Sequence, residues 1–559
     1  MYLRETKRKN ADGATVAYYQ LAENDWDPVR GCSVARVVYN FGRADALDAD
    51  KLRALAKSIL RVCSGEAQLE AVEGVKVLDA RPHGALHVLE ALWKELGIPE
   101  ILATAARKAK TTQPFERAIF AMVANRALSP YSKLYCYEQW LREDVYVRGA
   151  DTLELQHLYR GMDFLETHKA EIEKAVYFSA ADLTRADVDL IFYDTTSIHF
   201  EVDEEDEVEF EKEGRHYKPL RQRGHSKNGR FDAPQIVVGL AVTRDGLPVR
   251  SWVFPGNTGD VTTVEQVKED LRGWKLGRCV FVGDSGMNSE ENRRKLALGG
   301  GKYILASKMR AGDEVTKDVL ARPGRYREVA DNLRVKEVFV GDGERRRRYV
   351  VCHNPLEDDR QRKHREKLLA QLETEFEAMR VEPGSHTKRM CELVARARFG
   401  RYLRETKSGL AIDRAAVKEA ERYDGKWVVT SNDDTLSVED LAMGYKQLLR
   451  VEECWRTLKS ALRMRPVFHW RPWRIQAHVT ISVLALLLER IIEQRASDTW
   501  RNVAAQLDMI KVVEYERGEA RVRQTTELRP AARKLLETLK VAPPPLLHEV
   551  THATPREDA

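Results

Sequence analysis

The chain has 559 residues, 43% of them hydrophobic and 32% charged, which is apolar material for several packed cores and excludes wholesale disorder or a fibrous repeat. Its 92 Lys and Arg barely exceed its 87 Asp and Glu, so net charge alone does not mark a nucleic-acid binder. Seven scattered Cys (32, 63, 136, 279, 352, 391 and 454) without a Cys-x-x-Cys pair exclude a disulfide framework or a zinc ribbon and point to free thiols in the cytoplasm.

The start, MYLRETKRKN, lacks the apolar core of a signal peptide, and the most apolar run, 481–488, falls short of the about 20 residues of a membrane span, so no membrane association is expected. Residues 1–45 alternate polar and apolar in short bursts around turn-forming ADG and DPVRGC segments, which predicts a small antiparallel β unit carrying Arg4, Lys7, Arg8 and Lys9. From 46 to 185 apolar residues recur three and four apart, as in LHVLEALWKELGI and FERAIFAMVANRAL, and this reads as a helical domain.

The texture changes at 186. Apolar runs at 188–194 (VDLIFYD), 235–243, 249–254, 279–284 (CVFVGD) and 303–306 predict strands, with helices at 262–273 and from 289, the element sequence of a mixed α/β sheet. Residues 310–430, with strand-like pieces and a highly charged helix near 358–380, interrupt that pattern as an insertion. Long helices follow at 438–460 and 474–494 within a second core part, 431–500. A C-terminal helical segment and tail fill 501–559, with disorder expected from 543.

Asp194 and Asp284 end two of the buried runs, where side chains leave a sheet and converge on ligands. Either alone reads more readily as a turn former or helix cap, and it is the occurrence of two acids at two sheet ends that points to a site. A two-metal phosphoryl-transfer site needs a third acid from an element packed across those ends, and the helix after 436 offers Glu452 and Glu453. At about 100° per residue, Tyr445, Glu452 and Lys459 share one face with Arg456, whereas Glu453 and Arg450 turn away, so Glu452 is the candidate. Lys227 and Arg230, in a Gly-bounded loop before a core strand, are candidate phosphate contacts or a polar turn. The run Arg345 to Arg348 fits a DNA backbone track or a solvated hairpin edge, and HWRPWRIQAH (469–478) reads first as packing.

The motifs YDTTS, GHSKNGRFDAPQIVVGLAV, FPGNTGDVTTV, FVGDSGMNS and YKQLLRVEECWRTLK, in this order, resemble the DDE transposases of bacterial insertion sequences, in the subgroup with a Tyr-Arg-Glu-Lys signature. NRALSPYSKL (125–134) is similar to the N-terminal part of the same group. The resemblance implies an RNase H-like catalytic core in two parts, 186–309 and 431–500, around the 310–430 insertion, with Asp194, Asp284 and Glu452 as the acids. It implies Mg²⁺, with Mn²⁺ as a substitute. It also implies cleavage and strand transfer at terminal inverted repeats and target DNA by a homodimer at the nucleoid. Tyr445, Arg456 and Lys459 would hold phosphates; the signature's Arg position is Leu448 here, a departure for which Arg456 is the candidate replacement. The rival expectations are an inactive DNA-binding descendant and a metal-dependent nuclease that never joins strands.

Overall fold

The computed structural model describes residues 2–9, 15–27, 32–44, 56, 59, 75–184, 189–227, 229–274, 279–310, 314–381, 386–406 and 409–552. The chain divides into two compact units, one of residues 82–510 and 528–544, the other of 1–81, 511–527 and 545–559.

The larger unit is built on one nine-stranded sheet. Its strands are β1 (Leu190–His199), β2 (Gln235–Val242), β3 (Pro248–Pro255), β4 (Val280–Gly283), β5 (Lys302–Ser307), β6 (Arg327–Ala330), β7 (Leu333–Val340), β8 (Arg347–His353) and β9 (Lys426–Ser431). They lie in the order β6-β7-β8-β9-β5-β4-β1-β2-β3. Strands β1, β4 and β5 run parallel, while β2 lies antiparallel to both of its neighbours, β1 and β3. The order 3-2-1-4-5 within the first five strands is the RNase H-like mixed sheet expected from the motifs.

Their unbroken apolar runs follow from burial on both faces. Alternation sends Leu190 and Phe192 of β1 into one core and Ile191 and Tyr193 into the other. Gly239 of β2 faces the Tyr193 ring so closely that a Cβ there would lie 2.5 Å from its hydroxyl. On the Leu190 face lie α2 (Val438–Lys446), α3 (Leu449–Lys459) and α4 (Pro472–Ala496); on the other lies α1 (Asp260–Arg272), through Val264 and Val267. By length and composition α4 could cross a membrane, but 89% of its apolar window is buried within the protein, against helices Phe115–Leu128 and Leu155–Thr167.

Several expectations need correction. The strand-like pieces of 310–430 belong to the core sheet, which β6 to β9 extend, while the helices Pro355–Val381, His386–Ala395, Ala397–Gly400 and Arg414–Glu421 and the hairpin Leu403–Thr406/Gly409–Ile412 stand outside it, around a separate apolar cluster including Leu368, Leu372 and Phe399. The single helix expected over 438–460 breaks at Gln447, where Leu448, Arg450 and Val451 donate to carbonyls three residues back.

In the smaller unit, strands Tyr2–Lys9, Thr15–Asp27 and Cys32–Arg43 form the expected antiparallel sheet. Its second sheet is not the expected helix and disordered tail. Leu547–His552, Ala520–Thr525 and Lys511–Arg517 pair in that order with Val75–Pro82, itself inside the stretch read as helical. Two-residue alternation in KVVEYER and ARVRQT, a turn at Gly518 (φ 61°), and the cross-strand pairs Glu514–Arg523 (3.3 Å) and Arg523–Glu549 (2.8 Å) explain the strands. Most of 45–74, expected to be helical, and 553–559 of the expected tail lie outside the described residues.

Candidate active site

Asp194 sits in the middle of β1, not at its end, because the strand continues to His199 against β2. The parallel register pairs Phe192 with Val282, and each aspartate follows its member of that pair by two residues, Asp194 within β1 and Asp284 in the turn just past β4. Adjacent strands lie about 4.8 Å apart, so the sequence places two carboxylates side by side. The Gly286 amide donates to Asp284 Oδ1 at 2.8 Å and fixes the turn after β4. Asp194 is only 19% exposed, and its carboxyl is pushed up to about 6 by burial, with Asp284 and Asp260 adding to the rise and Lys227 and the Thr195 backbone opposing it.

Strand alternation places Asp194 on the face of α2 and α3, and Thr195 on the face of α1. The Thr195 hydroxyl donates to Asp260, the first residue of α1. Asp260 is a further acid at this place, and the sequence offered only a helix-start signal in GDVTT. A Cβ added at Gly286 would lie 3.1 Å from Asp284 Oδ1 and 3.4 Å from Asp260 Oδ2, which shows how closely the two carboxylates approach that turn. The Lys227 ammonium reaches the same place, 3.0 Å from Asp260 Oδ2 and 3.8 Å from Asp194 Oδ1, and donates to the Thr195 carbonyl (2.8 Å) and hydroxyl (2.7 Å).

Across the sheet, Gly444 lets α2 lie close over Leu190 and Ile304. This seats Tyr445 among the acids: burial raises its phenol, and Asp284, Glu452 and Asp194, in that order, raise it further. Lys459 faces the same region, lowered by burial and by Arg465 and Lys227 and partly restored by Asp194. Glu452 is exposed, whereas Glu453 turns to Arg450 (3.1 Å). Among the described residues, no group of three or more His, Cys, Asp or Glu is close enough to hold a metal ion, so neither Glu452 nor Asp260 completes a three-acid set with Asp194 and Asp284 in this arrangement. The hard oxygen donors of Asp194 and Asp284 are of the kind that suits a hard divalent cation.

Other candidates lie elsewhere. Leu448 is 7% exposed and belongs to the main core, so the signature's Arg position points into apolar packing here. Arg456 is exposed and makes no ion pair among the described residues. Arg230 pairs with Asp232 (3.0 Å) and Glu201 (3.4 Å). Arg346, Arg347 and Arg348 are committed to Asp434, Glu314 and Glu337, which favours the structural reading of that run. His478 and Trp473 are buried, as packing required, while Trp470 is 53% exposed. Arg4, Lys7, Arg8 and Lys9 are exposed on an edge strand of the smaller unit, Lys7 with Glu5 at 3.3 Å.

Sequence comparison decides the family: the profile described as "Transposase DDE domain" matches residues 192–488, just over half of the chain. The chain belongs to the DDE transposases. Residues 3–70 match a second profile, "IS1634 family transposase, N-terminal domain", which fits a bacterial insertion-sequence enzyme. No curated protein matches the chain. Among solved structures, the cryo-EM piggyBac transposase synaptic complex with hairpin DNA is similar at 10% identity over 77% of this chain and 82% of that one (TM-score 0.35). The Mos1 transposase paired-end complex with left transposon end is similar at 12% identity over 36% and 55% (TM-score 0.14). Both likenesses are too loose to bear on the fold. As a DDE transposase, this protein binds DNA, cuts it and transfers strands, and its family generally uses divalent metal ions.

Proposed function

We propose that Asp194, Asp284 and Glu452 are the catalytic acids of this transposase and that Mg²⁺, or Mn²⁺ in its place, is the ion they hold. The observation that carries this reading is the placement of Asp194 on β1 and of Asp284 just past the end of the neighbouring parallel strand β4, both acting with Glu452 on the buried phenol of Tyr445. When bound, the ions supply Lewis-acid activation of the attacking oxygen and charge stabilisation of the leaving one. Asp194 and Asp284 orient that chemistry from a rigid sheet, and Glu452 closes it from α3. Tyr445, Lys459 and Arg456 hold phosphates of the strand being cut, the Lys459 ammonium from a half-buried position where its charge is poorly screened. The substrate on this reading is a terminal inverted repeat and then target DNA, bound by a homodimer.

Proton and metal compete for Asp194. Mn²⁺ binding by the full chain is therefore expected to tighten as pH rises from 5 to 7.5, with the gain levelling off above the Asp194 value of about 6. Isothermal titration across that range tests this; affinity independent of pH would remove Asp194 from the ligand set.

The N-terminal sheet is proposed as a DNA contact. Replacing Arg4, Lys7, Arg8 and Lys9 together with Ala is expected to lower the slope of log affinity against log salt for end DNA by roughly two to four, because fewer counterions are released. Gel shifts at several salt concentrations measure it. An unchanged slope would leave these cations as edge-strand protection against pairing with other chains.

A further inference from the structure

Lys227 is anchored rather than free. Its backbone amide donates to Ser197 Oγ at 3.0 Å, on the strand that carries Asp194. Its ammonium then enters a shell of oxygens: the carbonyl and hydroxyl of Thr195 at 2.8 and 2.7 Å, Asp260 Oδ2 at 3.0 Å and Asp194 Oδ1 at 3.8 Å. This shell mixes carboxylate, hydroxyl and carbonyl oxygen, the donor chemistry that hard cations take. The hydroxyl of Thr195 is turned to Asp260, so its lone pairs remain for the ammonium.

We infer that Lys227 is a built-in countercharge that holds the cation position beside Asp194 until a divalent ion replaces it, with Asp260 and Thr195 as the residues that position it. The inference rests on the assignment of Asp194 and Asp284 to metal binding. Without a cation here, the carboxylates of Asp194 and Asp260 would face the same place with nothing between them, and the Asp284 carboxylate approaches the turn that Asp260 also reaches. An ammonium relieves that crowding from a lysine whose side chain is 32% exposed and whose head can therefore move out to water. The same geometry separates Lys227 from Arg230, whose guanidinium is held outside by Asp232 and Glu201.

The test uses the full-length protein without DNA, with Mn²⁺ as the probe. Lys227→Met removes the competing charge and is expected to bind Mn²⁺ roughly tenfold more tightly than the wild type. In chelator its melting temperature should fall, and Mn²⁺ should restore it, because the metal then does what the ammonium did. Lys227→Gln keeps a hydrogen-bond donor for Thr195 while losing the charge, so it should behave alike and carries the comparison if the Met variant does not fold. Lys227→Arg keeps the charge and should bind Mn²⁺ within a few-fold of the wild type. Equal or weaker Mn²⁺ binding in the uncharged variants, or an unchanged melting temperature in chelator, would overturn the inference and leave Lys227 as a DNA phosphate contact. Wild-type Mn²⁺ binding that survives Asp194→Asn unchanged would instead overturn the assignment of the acids.

Discussion

Asp194→Asn and Asp284→Asn are each expected to reduce cleavage of end DNA by roughly a thousandfold or more, with end binding retained, since each removes an acid of the cation site and not a DNA anchor. Asn has nearly the shape of Asp, and at 284 its side-chain oxygen still accepts from the Gly286 amide, so the turn after β4 stays formed. Stability should move the other way at 194. A buried carboxyl raised from 3.8 to about 6 contributes stability only while protonated, fully below pH 4, and loses it as pH rises through 6. In chelator at pH 7.5 the Asp194→Asn variant should therefore melt above the wild type, and the difference should close by pH 4. Loss of activity with a gain in stability is the signature of a residue kept for chemistry. Glu452→Gln should also abolish cleavage, whereas Glu453→Gln should cost no more than about twofold, because its carboxylate serves an exposed pair with Arg450. The opposite ranking would move the third acid one residue along α3.

The neighbouring placement of the two aspartates was legible because each follows an apolar run long enough to be buried on both faces, and two such runs in an α/β sequence are brought side by side in one sheet. Asp260 was not legible in the same way. Its connection to the site depends on Thr195 pointing opposite to Asp194 and on a loop returning Lys227 to the strand, neither of which leaves a periodic trace. The choice of Glu452 rests on an ideal helical phase across 445–459, yet the helix tightens at Gln447; Tyr445 still senses Glu452, which raises its phenol together with Asp284 and Asp194. At the C-terminus, scattered Pro and His suggested disorder, but a strand of six residues, Leu547–His552, needs only an edge to pair with, and Ala520–Thr525 supplies one.

The substitution with the largest expected gain in stability is Lys133→Met, in the NRALSPYSKL segment. The Lys133 side chain is 2% exposed and its ammonium has no hydrogen-bond partner, with burial and then the Arg126 guanidinium lowering its pKa and the Cys136 thiol partly opposing. Arg126 alongside it donates to the carbonyls of Arg463 (3.0 Å) and Tyr131 (3.2 Å), tying helix Phe115–Leu128 to the segment after α3. His469 is lowered to about 3 and His478 well below its ordinary value, both chiefly by burial, so neither imidazole adds charge at neutral pH. Burial, then Arg126, lowers Lys133 from 10.5 to about 7. A folded value below the unfolded one means that the unfolded chain binds the extra proton between pH 7 and 10.5. Wild-type stability should therefore rise with pH across that window. Met keeps the unbranched stem and removes the charge, so the variant should gain on the order of 3 kcal/mol at pH 6.5, with the gain shrinking steadily towards pH 10. Denaturant melts at pH 6.5, 8 and 9.5 measure the trend. A Met variant less stable than the wild type at pH 6.5 would mean that the Lys133 ammonium is matched by a buried anion, and the cluster of Arg126, Lys133, His469 and His478 would then be a binding site instead of a cost carried by the fold.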